Sequence, residues 1–135
     1  MTQAKTYTIQ QIAEQTGLTR YTLRYYEDIG LLDSVARASN GHRCYTEADL
    51  NRILMLMRLR KTNMSLEDMK HFIALYRAGS ATATERREML EAHRRAVTEQ
   101  IEELREIRRF IDYKIGLYTE EEQIYHEQYE VSPVG

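Results

Sequence analysis

The chain has 135 residues, 42% of them hydrophobic and 30% charged, enough for one small core plus an extension but not for two full domains. No apolar run nears the ~20 residues that cross a bilayer, and Met1 to Tyr7 lacks the apolar stretch of a secretory signal, so a cytoplasmic protein with no membrane contact is expected. The net charge of −2 hides an asymmetry: residues 1–79 hold 11 Lys/Arg against 8 Asp/Glu, and residues 80–135 hold 8 against 13, which suits a polyanion at one end and a solvated acidic extension at the other.

Helices dominate the expectation, because the single proline, Pro133, lies near the end. Thr8 is placed to cap a first helix, with Ile9, Ile12 and Ala13 on one face, and Gly17 ends it. Thr19 caps a second helix that runs to about Asp28, with Leu23 and Tyr26 inward and Gly30 closing it. Two short helices across a glycine-containing turn read as helix-turn-helix. Residues 31–45 are expected to form a hairpin: Leu31-Leu32, a polar excursion, then Asn40-Gly41, whose residues tolerate positive φ. A third helix starts at Thr46, where Asp49 completes a capping box, and its inward stripe is predicted as Leu50, Ile53, Leu54, Met57 and Leu59. A fourth starts at Ser65 with Leu66, Met69, Phe72, Ile73 and Tyr76 inward, and Gly79 ends it.

One long helix then follows, from about Thr84 to Tyr118. Leu90, Val97, Ile101, Leu104, Ile111, Ile115 and Tyr118 fall on a heptad seam that Arg108 interrupts, with Ile107 and Phe110 flanking the break. A solitary helix has nowhere within the chain to bury such a stripe, so a second copy in a symmetric homodimer is expected. Folding back on the N-terminal domain is the alternative. The resulting division is a helix-turn-helix domain with two further helices over 1–79, a dimerisation helix over 80–118, and a tail over 119–135 that is a short helix or disordered.

The stretch Thr19-Arg20-Tyr21-Thr22-Leu23-Arg24-Tyr25-Tyr26-Glu27 carries the strongest chemistry. Arginine reaches guanine edges and phosphates, hydroxyls bond phosphate oxygens, and a helix N-terminus offers free N–H donors. A surface helix with ordinary charges is the competing reading. In the hairpin, Gly41, His42, Arg43 and Tyr45 are the candidates beside the groove, although Tyr45 is equally suited to pack in the core. Arg60 and Lys61, with Arg58, end the third helix, where they also complement its dipole.

At this point the chain resembles the MerR family of regulators. The likeness rests on Tyr7-Thr8-Ile9, Gly17-Leu18-Thr19, Leu23-Arg24-Tyr25-Tyr26-Glu27-Asp28-Ile29-Gly30-Leu31-Leu32, Asn40-Gly41-His42-Arg43-Cys44-Tyr45-Thr46-Glu47-Ala48-Asp49-Leu50 and Ser65-Leu66-Glu67-Asp68-Met69. The resemblance implies a mainly α fold: an N-terminal winged helix-turn-helix followed by a long helix in an antiparallel coiled coil. It implies a homodimer on a near-palindromic double-stranded promoter, working with RNA polymerase, in which an effector bends and untwists the DNA. Thr22, Arg24, Tyr25 and Arg43 then become the leading DNA contacts, with Arg20, Tyr21 and Arg60 next. Asp33-Ser34-Val35 departs from the proline that often follows Gly-Leu-Leu in the family, which puts the path of the wing there in doubt.

The effector is not legible. Metal-sensing relatives use cysteines at the start of the long helix and beyond it, and neither region has one here, so soft-metal ligands are missing and no metal or other cofactor is expected. His71, His93 and His126 form no close cluster in sequence. The residues after the long helix are too few for a separate receptor domain. Cys44 is a candidate thiol sensor beside Arg43, or an inert small wing residue; a ligand near Phe110, Tyr113, Tyr118 and Tyr125 is the third possibility. No nucleophile–base set, phosphate loop or metal spacing points to an enzyme. A coiled-coil adaptor is the non-DNA alternative, and the retained Arg20 and Arg24 weigh against it.

Overall fold

The computed structural model describes residues 5–33 and 37–129. In chain order it contains β1 (Thr6–Tyr7), α1 (Ile9–Thr16), α2 (Arg20–Asp28), β2 (Tyr45–Thr46), α3 (Glu47–Lys61), α4 (Leu66–Arg77), a single 3-10 turn (Ser80–Thr82) and α5 (Ala83–Tyr129). Two compact units divide between Glu91 and Ala92.

Local chemistry sets the helix ends of the first unit. Thr8 and Gln11 close a reciprocal capping box at α1, and Gly17 ends the helix in the left-handed conformation (φ 76°). Thr19 caps α2 by accepting from the Thr22 N–H, Thr46 and Asp49 cap α3 reciprocally, and Ser65 caps α4. The one buried polar residue among those described, Thr16, is satisfied within the α1–α2 turn. Its hydroxyl donates to the Ile12 carbonyl at 2.8 Å and accepts from the Leu18 N–H at 3.2 Å. That removes the cost of an unpaired buried hydroxyl and fixes the turn from which α2 starts.

The core gathers Ile12 from α1, Leu23 and Tyr26 from α2, Leu50, Ile53, Leu56 and Leu59 from α3, and Met69, Phe72 and Ile73 from α4. Met89, from the first turns of α5, packs against it. The face that α3 buries differs from the expected stripe. Leu56 is fully buried, whereas Leu54 and Met57 are only half-buried. α3 is apolar around most of its girth from Ile53 to Met57, so periodicity does not choose its face; contacts with α1, α4 and β2 do. On α4, Leu66 is half-buried and Tyr76 is exposed.

The expected hairpin is also corrected. Leu31 and Leu32 form no strand; they are buried in the core just after Gly30 (φ 85°). β2 pairs antiparallel with β1, in the register Thr6 to Thr46 and Tyr7 to Tyr45, rather than with the segment before the turn. The turn itself survives as a bridge between Arg37 and Arg43 around Gly41 (φ 83°). Ser34 and Val35, where the departure from the family pattern falls, lie outside the described residues.

In the second unit α5 does not stop at Tyr118 but continues to Tyr129. Every residue from Ile101 to Tyr129 is exposed. The four-three stepping of the seam, carried past Glu122, lands on Tyr125 and Tyr129, whose rings lie 5.0 Å apart. No helix among the described residues is long and apolar enough to cross a membrane.

Candidate nucleic-acid interface

Helical periodicity makes α2 two-faced. Leu23 and Tyr26, three residues apart, are buried, and this turns Arg20, Tyr21, Arg24 and Tyr25 outward. Tyr21 is the most exposed of them at 79%. At the helix start, the Thr19 hydroxyl accepts from the Thr22 N–H at 3.0 Å and donates to the Thr22 hydroxyl at 3.0 Å. Arg20 donates to the Gln10 side chain at 3.1 Å, which ties it across to α1.

The wing turn is braced from inside. The Arg37 guanidinium donates to the Gly41 carbonyl at 2.9 Å, Ala38 N–H donates to the His42 carbonyl at 2.8 Å, and His42 N–H donates to the Asn40 side chain at 3.0 Å. Arg43 Nε donates to Glu27 Oε2 at 2.9 Å. Both side chains of this pair are only about a fifth exposed (21% and 17%), so the bond pins the wing to α2.

α1, α2 and the wing enclose a groove of about 470 Å³. Arg20, Arg24, Arg37 and Arg43 all line it, together with Gly41 and His42, and no carboxylate residue does. Guanidinium groups around one concavity are the chemistry that suits a phosphate or a guanine edge, although Arg43 among them is paired with Glu27. Tyr21, Thr22 and Tyr25 of α2, and its N-cap Thr19, are not on the groove wall. Arg60 and Lys61 line a separate cleft of about 360 Å³ beside Gly17 and Leu18; Arg60 also donates to the Met64 carbonyl at 3.2 Å.

Tyr45 is corrected. It is 0% exposed, and burial raises its phenol above the ordinary tyrosine pKa. Pairing of β2 with β1 turns its ring into the core, so it offers no surface to a phosphate. Arg37 is the residue that sequence reasoning missed. It sits as far before Asn40 as Arg43 sits after it, so symmetry about the turn was the signal that could have found it. Cys44, which follows Arg43, is half-buried. The Arg43 charge beside it is already partnered by Glu27. No group of three or more His, Cys, Asp or Glu residues among those described could hold a metal ion.

Comparison with known proteins follows the same lines. The family profile described as MerR HTH family regulatory protein matches residues 7–75, and that described as MerR, DNA binding, matches residues 50–113. An HTH-type transcriptional regulator of Haemophilus influenzae is 38% identical over 113 residues, 84% of each chain. HmrR of Rhizobium leguminosarum is 32% identical over 107 residues, 79% of this chain and 82% of its own. Among solved structures, HiNmlR, a MerR family regulator lacking the sensor domain and bound to promoter DNA, matches with a TM-score of 0.85 at 36% identity, covering 89% of this chain and 91% of that one.

Proposed function

The chain belongs to the MerR family of helix-turn-helix regulators and is a DNA-binding transcriptional regulator, and from that premise we propose that it acts as a homodimer on a near-palindromic promoter. The carrying observation is the groove that brings Arg20, Arg24, Arg37 and Arg43 together between α2 and the wing. In this reading α2 enters the major groove with Arg24 toward base edges, while Thr19, Tyr21 and Thr22 meet phosphates near the start of the helix and Tyr25 meets one further along it. Arg37, His42 and Arg43 follow the flanking backbone, Gly41 allows close approach there, and Arg60 and Lys61 hold a neighbouring phosphate. The likeness to HiNmlR, solved bound to promoter DNA, supports promoter DNA as the target.

Dimerisation is assigned to α5. Leu90, Ile101, Leu104, Ile111, Ile115 and Tyr118 are all exposed in the single chain and, with Val97, lie at seam spacing. Each large side chain withdrawn from water contributes roughly 1.5–3 kcal/mol, so pairing of two copies is strongly favoured over exposure. A dimer presents two α2 helices related by a twofold axis, which is why the site should be near-palindromic. Regulation then runs through deformation of the promoter between the two contacts, for RNA polymerase to read, under control of an effector.

Selection of binding sites from randomised DNA with the purified protein, followed by footprinting, tests this reading. The expected result is one near-palindromic site protected on both halves. A single unrepeated half-site, or no enriched sequence at all, would defeat it and favour the coiled-coil adaptor.

A further inference from the structure

A second concavity, of about 410 Å³, lies within the first unit on the α3–α4 side and at the start of α5. Its size is within the range of small-molecule pockets. Met55 and Phe72 supply apolar wall, and Asn51, Arg52, Tyr76 and Arg86 supply polar groups. Tyr76 is the side chain expected in the core and found exposed. Two cations hold its ring: Arg52 at 5.0 Å from the ring centroid and Arg86 at 5.5 Å. Arg86 is itself set by the turn before α5, donating to the Thr82 hydroxyl at 3.1 Å and to the Gly79 carbonyl at 3.4 Å. No acidic residue lines the pocket.

Arg52 has a second commitment. Its Nη1 donates to Asp33 Oδ2 at 2.7 Å, while Arg77 donates through Nε and Nη2 to Asp33 Oδ1 at 3.1 and 2.8 Å. Asp33 directly follows the buried Leu31 and Leu32 and begins the segment that leads to the wing. One guanidinium therefore touches both the pocket and the base of the wing.

We propose that this pocket binds a small aromatic carboxylate, its ring against Met55, Phe72 and Tyr76 and its carboxylate between Arg52 and Arg86, in competition with Asp33 for Arg52. Two guanidinium groups beside an apolar wall fit a ligand with one flat apolar part and one anionic end. Occupancy loosens the hold of Arg52 on Asp33 and so reaches the wing. The wing readout rests on the promoter-binding reading above; the binding event does not.

The test uses the full chain, benzoate as probe and benzamide as its uncharged counterpart, with calorimetric titration and thermal melting in the absence of DNA. Benzoate should bind and raise the melting temperature, benzamide should bind roughly tenfold more weakly or worse, and Arg86→Gln should lose a similar factor. Arg105→Gln, on the exposed part of α5, serves as the control for general loss of positive charge. Asp33→Asn should tighten benzoate, because the competitor for Arg52 is gone. Equal binding of benzoate and benzamide would overturn the proposal, as would equal losses in Arg86→Gln and Arg105→Gln. So would the absence of benzoate binding, including the case in which a second copy covers the pocket. Operator affinity measured alongside should shift with benzoate in the wild type and not in Asp33→Asn. A protein that binds benzoate yet selects no DNA would sink the promoter reading and leave the pocket standing.

Discussion

The first unit, to Glu91, and the second, from Ala92, are both helical and both carry apolar side chains at helical spacing, yet they dispose of them in opposite ways. The first buries Ile12, Leu23, Ile53, Leu56, Met69 and Ile73 completely among its own elements. The second leaves Leu104, Phe110, Tyr113 and Tyr118 more than half exposed, and every residue from Ile101 to Tyr129 is exposed. Amphipathic spacing alone therefore says that a face must be covered, not by what. In the first unit short helices joined by tight turns cover one another; in the second, a second copy of the chain is the cover proposed above.

Substitutions in the two units should separate these cases. The largest effect is expected from Ile53→Ala, which opens a cavity where α3 meets the rest of the core and should cost about 2–5 kcal/mol, read as a lower denaturation midpoint. Ile111→Asp should do the reverse in kind: the first unit keeps its cooperative melt while the proposed dimer weakens by about 3 kcal/mol or more, read by light scattering or sedimentation. If Ile111→Asp also abolished the melt of the first unit, the contrast between the units would collapse. Arg24→Ala should leave both folding and dimerisation intact and cost about 1–3 kcal/mol in operator affinity at fixed salt. Arg37→Ala should lower the salt dependence of binding by about one phosphate contact without altering which sequence is selected.

The smallest effect concerns Asp33. The Arg52 guanidinium that donates to it, with help from Arg77, holds its carboxyl below the ordinary value of 3.8. A carboxylate with a depressed native pKa adds stability that is present above the unfolded value and lost as pH falls through the native one. The Asp33 side chain is 59% exposed, although that of Arg52 is only 19% exposed, so solvent screening at Asp33 should keep the contribution under about 1 kcal/mol. Comparing Asp33→Asn with the wild type in acid melts below about pH 4 checks it: the difference between them should shrink as the pH drops.

Much of the fold was legible because its punctuation is local. Thr8 with Gly17, Thr19 with Gly30, Thr46 with Asp49, and Ser65 mark helix ends through bonds to their own neighbours, and the structure has each of them there. The outward residues of α2 were legible for the same reason, since burial of Leu23 and Tyr26 leaves the arginines no other side. Beyond Tyr118 the helix outlasts the apolar pattern that marks it. Glu120 to Glu122 break the apolar seam but not the helix, because glutamate is a good helix former.

The remainder depended on partners distant in sequence. Tyr45 could face a phosphate or the core, and only pairing of β2 with β1, across the whole helix-turn-helix, turned it inward. Arg37 and Arg43 became one site with Arg20 and Arg24 only when the wing turn folded beside α2, with Glu27 holding Arg43 in place. Tyr76 has the spacing of a core residue and instead lies exposed between two arginines from α3 and α5. The amino-acid sequence by itself determined where α1 to α4 begin and end, and which chemistry they carry, because caps, glycines and periodicity act within a few residues. Which of several apolar or basic side chains face one another was decided only by tertiary packing, because burial is a competition among faces that no single segment can settle.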